Sequence, residues 1–192
     1  MGLDDSLQRL EELCAAAGAP LGQPTPPGPA AAEVVAALET LGLPIDEDLL
    51  TWFGWRDPGQ RYERLPINFG LRSLDECVAN CRMMREIAVD VSGGDAAIVE
   101  SLWRPSFFQI AGEDGDWLVV DLSPRTDATR VRYYYRDEGA DGAASAASLD
   151  GLVNVWISDI ERGASIWDPA LGMWEGETRS LSPPSGFTLT RP

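Results

Sequence analysis

The residues whose types and spacing could do chemistry are four carboxylates in one short stretch: Glu113, Asp114, Asp116 and Asp121. Carboxylates bind hard cations, and a pair of them can act as general acid and base. A calcium loop starting at Asp114 would need Gly at its sixth position and Glu at its twelfth, but Val119 and Arg125 stand there. Asp116 and Asp121 are an odd number of residues apart and so face opposite sides of an unbroken strand. The pattern therefore favours a turn at Asp114 and a strand end at Asp121, and predicts no catalytic residue, no metal and no cofactor.

The composition excludes much of the known catalytic machinery. The 192 residues include no His and no Lys, so a Ser-His-Asp triad, an imidazole metal ligand, a Schiff base and a phosphate-loop lysine are all impossible within this chain. The net charge of −16 repels nucleic acid and favours a basic partner. A solvated acidic surface that only keeps the protein dispersed is the alternative explanation of this charge.

The three cysteines predict a reducing compartment. Cys14, Cys77 and Cys81 form no extracellular disulfide framework, and the last two are four residues apart on one stripe of a predicted helix. The sequence starts with acidic residues, and no apolar run reaches the length of a membrane span. These features predict a cytoplasmic protein with buried thiols and no membrane association.

A three-strand meander is predicted in the middle of the chain. Ser106–Ala111 and Asp116–Leu122 are apolar runs joined by the turn residues 112–115, and Arg130–Arg136 alternates in polarity as a half-buried strand does. Both faces of the middle run are apolar, which predicts the centre of a sheet. The fold class predicted is α+β, a single domain with a mixed or antiparallel sheet and helices packed on it.

Helical spacing and turn residues divide the rest of the chain. We predict an N-terminal helix (1–18), a linker with five prolines (19–30), the main domain (31–178) and a flexible tail (179–192). The first helix could dock on the domain, which we favour slightly, pair with a second copy or remain free. A capping box at Ser73 starts a helix that should bury apolar residues as far as Ile87. Periodicity does not decide between strand and helix for Ala96–Leu102.

The meander carries a resemblance. Trp103–Pro124 reads Trp-x-Pro, then Gly-x-Asp-Gly-Asp, then an aromatic residue and Leu-Val-Val-Asp-Leu-x-Pro, which resembles the core signature of the SUKH superfamily. Leu41–Leu50 and Ser148–Leu152 resemble the helices that flank this core, and about residues 31–175 are covered. The chain departs from the pattern at Trp52–Asp57, where the family usually has an Asn-Gly end.

Ten residues are singled out on this basis. The residues predicted to bind a partner are Trp55, Arg56, Glu113, Asp114 and Asp116. The residues predicted to be structural parts of the motif are Trp103, Pro105, Gly115, Trp117 and Asp121. Tryptophan dominates binding hot spots, and Trp55 lies in a polar stretch that favours an exposed anchor. Trp103 and Trp117 are expected to be at least partly buried.

The resemblance implies a non-catalytic protein-binding module. The function expected is that of an immunity protein that neutralises a cognate toxin, whose basic nuclease cleft would suit an acidic partner. This partner is a protein, and the chain is a monomer or homodimer. A regulatory scaffold, similar to fungal cell-wall assembly regulators, is one alternative, and a metal-dependent hydrolase that uses Asp114, Asp116 or Asp121 is the other.

Overall fold

A computed structural model gives the fold and describes residues 2–59, 63–124, 130–136 and 144–176. The helices are α1 (Leu3–Ala17), α2 (Ala31–Thr40), α3 (Glu47–Trp55), α4 (Leu74–Ser92), α5 (Ala96–Leu102) and α6 (Leu149–Glu161). The strands are β1 (Gly70–Leu71), β2 (Phe107–Glu113), β3 (Asp116–Asp121), β4 (Val131–Tyr134), β5 (Ala144–Ala146), β6 (Ser165–Asp168) and β7 (Met173–Gly176). The α+β prediction is confirmed. The predicted tail (179–192) lies outside the described residues.

An antiparallel sheet in the order β1-β2-β3-β4-β5 forms the centre of the fold. The prediction that the strand after Gly115 is central is confirmed, since β3 pairs on both sides. Successive side chains of a strand point to opposite faces. Accordingly, Phe108 packs edge-on against Phe53 of α3, whereas Phe107 packs against Trp103, which follows α5. Helical segments therefore cover both faces, which explains why β2 and β3 are apolar on both sides.

The N-terminal helix docks on the domain. Leu7, Leu10 and Cys14 of α1 are fully buried, and the helix packs on α6 and α3. Ser6 donates to Asp150 of α6 at 2.6 Å, which fixes one end of this contact. A short 3₁₀ turn, Pro20–Gly22, continues the packed segment into the stretch predicted as a linker. Docking is the alternative that the structure adopts.

One edge of the sheet is closed by a helix. The strand β1 pairs with Gly112 and Ala111 of β2, and its Gly70 forms an isolated bridge with Arg64 on the other side. Further along the same edge, Sγ of Cys81 on α4 accepts from the Gln109 amide at 3.4 Å and lies 3.9 Å from the Phe107 carbonyl. Burial raises the pKa of the Cys81 thiol to about 11, so it stays protonated. Cys81, one of the two cysteines that the spacing places on the same helical stripe, therefore contacts backbone groups of β2 at this edge.

The structure decides one open assignment and corrects several predictions. Ala96–Leu102, for which strand and helix were both open, is a helix. The Gly, Ala and Asp residues of Asp137–Ala147 predict a loop, but this stretch contains the strand β5, while residues 137–143 lie outside the described part of the chain. Ile87 was predicted to be buried and is 45% exposed. Tyr134 was placed on the polar face of its strand and is buried, because Trp103 covers that face.

Ile166-Trp167 and Met173-Trp174 flank the turn residues Asp168–Gly172 and predict a terminal hairpin, which the structure contains. The strands β6 and β7 pair through Ile166 with Glu175 and Trp167 with Trp174. Asn68 joins this hairpin to the main sheet, since its side chain accepts from the Trp174 amide and donates to the Trp174 carbonyl.

Within the described residues, none of the helices combines the length and the apolar content that crossing a bilayer requires.

Candidate functional site

A groove of about 410 Å³ lies between α4 and one face of the sheet. Its floor consists of Trp103, Trp117 and Tyr134. Trp117 pairs with Tyr134 across β3 and β4, so their side chains share a face, and the Trp103 ring packs 5.1 Å from that of Tyr134. Three residues of the sequence motif, Trp103, Gly115 and Trp117, therefore line one concave and largely apolar surface.

The wall of the groove is the second half of α4. Met83, Met84, Ile87 and Val91 line it, and three of them are exposed: Met83 by 43%, Ile87 by 45% and Val91 by 68%. None of these residues is among those that the sequence predicts to bind a partner. The sequence contains part of the signal, because the apolar residues of α4 spread over a wider arc of the helix after Cys81, but how much of that arc the sheet covers is seen only in the structure. A helix with more apolar surface than its neighbours bury is typical of a binding surface.

The hairpin between β2 and β3 forms one end of the groove. Glu113 pairs with Asp116, which leaves a two-residue turn at Asp114 and Gly115 with φ of 48° and 96°. Two positive φ angles are those of a type I′ turn, in which Asp-Gly is a preferred pair. The sequence predicted a longer turn, and the structure extends β2 by two residues. The turn prediction for Asp114 and Gly115 themselves is confirmed.

Arg136 fastens this turn. Its guanidinium donates to the Asp114 carbonyl, and its amide donates to Oδ1 of Asp116 at 3.1 Å. The φ of 96° favours glycine at position 115, and a Cβ there would also require the flexible Arg136 guanidinium to shift. Asp116 thus fixes backbone geometry at the end of the groove, and Asp114 presents an exposed carboxylate.

Gly112 provides the space for the groove floor. A Cβ at this position would overlap Cε3 of Trp117, so the indole lies directly on the glycine backbone. The cross-strand pairing of Gly112 with Trp117 produces this contact. A glycine that looks like a turn residue in the sequence is therefore a strand residue that positions a tryptophan.

The charged groups near the groove do not form an acidic rim. Arg136 is the one charged residue among those that line it. Burial and the neighbouring Asp114 raise the pKa of Glu113, which pairs with Arg64 at 3.5 Å and does not line the groove. On α4, the exposed carboxylates of Glu86 and Asp90 lie with Arg85 and Val89 in a separate depression. The excess negative charge of −16 is therefore a property of the chain as a whole.

Arg56 is buried, which corrects its assignment as a partner-binding residue. It is 4% exposed, and its guanidinium donates to the carbonyls of Leu21 and Gln23. Its Nε lies 3.1 Å from Oε2 of Glu63, which is fully buried, and Nη1 lies 3.4 Å from Oε1 of Glu11. Arg56 therefore fixes the linker to the domain and does not face a partner.

Trp55 also departs from its prediction. It is the last residue of α3 and not part of a polar loop, and its ring is half-buried between Trp52 and the Arg56 guanidinium. Neither Trp55 nor Arg56 lines the groove. Of the five predicted partner-binding residues, the structure brings together the three hairpin carboxylates and separates these two from them.

Asp121 fixes a strand end, as predicted. Its Oδ1 accepts from Ser106 Oγ at 2.7 Å and from the Ser123 amide at 3.0 Å, while Arg104 lies 3.4 Å from Oδ2. Burial acts to raise the pKa of Asp121, but these hydrogen bonds and the arginine outweigh it and lower the pKa. Nearby, the carbonyl of the exposed Pro105 accepts from Arg85 of α4. Both residues are structural.

A larger cleft, about 630 Å³, lies between the linker, α2 and the start of α4. Two of the three carboxylates that line it have local partners: Glu33 accepts from the Ala30 amide and Asp57 from the Gly59 amide. The groove beside α4 contains exposed apolar side chains and residues of the sequence motif, which makes it the better candidate. Among the described residues, no group of three or more Cys, Asp or Glu is placed to hold a metal ion.

Comparison with known proteins adds no relative to this description. No protein-family model matches the chain, and a search of curated proteins finds no match.

Proposed function

We propose that this protein is a non-catalytic protein-binding module that acts in the cytoplasm as an immunity protein and neutralises a basic toxin. The single observation that carries the proposal is the unpaired apolar face of α4. Among the described residues, three of the eight large hydrophobic side chains that are exposed lie on the groove side of this helix: Met83, Ile87 and Val91. Proteins without a partner rarely expose such a concentrated apolar surface.

Two further observations support a basic toxin as the partner. The net charge of −16 would accelerate encounter with a basic nuclease cleft, and α4 and the β2–β3 hairpin both carry exposed carboxylates, Glu86 and Asp114 among them. The same charge disfavours nucleic acid and a second copy of this chain, which would both be repelled. The resemblance of Trp103–Pro124 to the SUKH superfamily supports an immunity role.

Coexpression tests this function. Each gene that flanks the gene for this chain is expressed alone and together with it in a heterologous host. We expect one flanking gene to arrest growth and this chain to restore it. If no flanking gene is toxic, or if the toxic one is not neutralised, the immunity role is wrong. Stable binding of several endogenous proteins would instead favour the regulatory scaffold.

Salt dependence and metal addition test the chemistry of the proposal. Association with the toxin should slow as ionic strength rises, because charges are screened beyond about 10 Å at 0.1 M salt. An association rate indifferent to salt would remove the electrostatic argument. Divalent metals should leave the melting temperature unchanged, whereas a ligand that binds only the folded state would raise it and revive the hydrolase hypothesis.

A further inference from the structure

The groove beside α4 combines an apolar lining with one cationic group. Its volume of about 410 Å³ lies within the range of roughly 300–1,000 Å³ that is typical of small-molecule sites. Arg136 lies at the hairpin end and is the one charged residue of the lining, since the others are apolar, aromatic or glycine. An apolar cleft with few polar groups is the usual composition of a ligand site, and the polar group fixes the orientation of the ligand.

Within the described part of the chain, the Arg136 guanidinium keeps donors for an anionic ligand. One nitrogen donates to the Asp114 carbonyl, which holds the group at the end of the groove, and a guanidinium has five N–H donors in all. The side chain is exposed, and no described carboxylate forms an ion pair with it, since Asp116 accepts from the Arg136 amide instead. A guanidinium that is held in place in this way matches the planar geometry of a carboxylate.

We propose that the groove binds an apolar carboxylate of the fatty-acid type, with its carboxylate on Arg136 and its chain along α4. The exposed side chains of Met83, Ile87 and Val91 follow each other at intervals of four residues and form a stripe about 12 Å long at 1.5 Å per residue. A linear chain of medium length suits this stripe, with Trp117 on its other side. The inference goes beyond the proposed function and does not depend on it.

The charge of the chain selects among anions. The net charge of −16 opposes every negative charge on a ligand, so a singly charged carboxylate is favoured over a doubly charged phosphate. This repulsion is screened beyond about 10 Å at 0.1 M salt, whereas a carboxylate in contact with Arg136 forms a charge-assisted hydrogen bond. Met83 and Met84 are unbranched and flexible, so they adapt to an alkyl chain. The groove therefore supplies apolar contact along its length and one cation at its end.

The test is a titration of the full chain with decanoate, followed by the ¹H–¹³C resonances of the methionine methyl groups. Met83 and Met84 line the groove, whereas Met173 lies on the terminal hairpin, so we expect the first two resonances to move and the third to stay in place. Decylamine has the same chain with a cationic head group and should bind at least three- to tenfold more weakly. Arg136→Gln should weaken decanoate binding about three- to tenfold. Arg82→Gln makes the same change of charge at an exposed residue of the larger cleft and should leave binding unchanged.

Three results would overturn the proposal. The first is that decanoate moves neither groove methionine, and the second is that decylamine moves them at the same or a lower concentration. The third is that Arg82→Gln weakens binding as much as Arg136→Gln, which would reveal an effect of net charge alone. The unsubstituted protein gives the first two results, so an Arg136 variant that alters the hairpin does not obscure them. Growth rescue in the coexpression experiment requires no fatty acid, so a failure here leaves the immunity role intact.

Discussion

Arg56→Met should lower the free energy of unfolding more than the substitution of any surface residue does. The variant removes a guanidinium whose side chain is 2% exposed and leaves the fully buried Glu63 carboxylate without its ion-pair partner 3.1 Å away. Breaking a buried pair by removing one member costs about 3–5 kcal/mol, because an uncompensated charge remains inside. The carbonyls of Leu21 and Gln23 also lose their donor. We therefore expect a loss of roughly 3–5 kcal/mol in the free energy of unfolding, or roughly 6–20 °C in melting temperature.

Urea denaturation measures this loss, and two controls define its cause. Arg9→Met removes a surface arginine that pairs with Glu12 and Glu161 but is 44% exposed, so it should cost at most about 1 kcal/mol. The double variant Arg56→Met/Glu63→Met replaces the buried pair by apolar side chains and should recover about 2 kcal/mol relative to Arg56→Met. If Arg56→Met costs no more than Arg9→Met, the buried network does not stabilise the fold as reasoned here.

Three further predictions concern the groove, the strand end and the sheet edge. Ile87→Ala should weaken binding of the toxin about three- to tenfold, because the exposed part of the side chain would be buried in the complex. Ile45 is comparably exposed but lies outside the groove, so Ile45→Ala should leave binding unchanged. Equal titration curves for the two variants would contradict this. Asp121→Asn should lower the free energy of unfolding by about 1–2 kcal/mol near neutral pH and reduce its loss in acid. The reason is that the lowered pKa of Asp121 gives stability that is present above about pH 4 and is lost as pH falls through the folded-state pKa. Urea denaturation curves across this pH range that match those of the parent chain would refute it. Cys81→Ala should cost roughly 1–3 kcal/mol and speed hydrogen exchange at the Gln109 amide, and unchanged exchange there would show that the thiol is not its partner.

Local patterns were sufficient to predict most of the secondary structure. The alternation along β4, the capping box at Ser73 and the helical spacing of Leu149–Ile160 are short-range signals, and each marks an element that the structure contains. Asp114 and Gly115 likewise needed only their own conformational preferences to be placed in a turn. These features depend on neighbours within a few residues.

The errors arise where distant residues decide the environment. Arg56 looked exposed because its partners Glu11, Leu21 and Gln23 lie far away in the sequence. Ile87 looked buried because it continues the helical stripe of α4, and only the position of the sheet shows that the stripe extends past its cover. The groove itself could not be predicted, since it requires the spatial meeting of α4, Trp103 and the hairpin.

The thiol contact at β2 constrains how any other chain can be recognised. An open strand edge invites β-augmentation, in which a ligand is held by its main chain with little regard for its sequence. Along β2, the two residues of β1 and then Cys81 occupy the backbone groups that such a ligand would need. At this edge the sheet is closed to strand exchange and to the templated aggregation that follows from it. Ligands are then distinguished by the shape and charge of surface side chains, which can change by substitution while the fold stays the same.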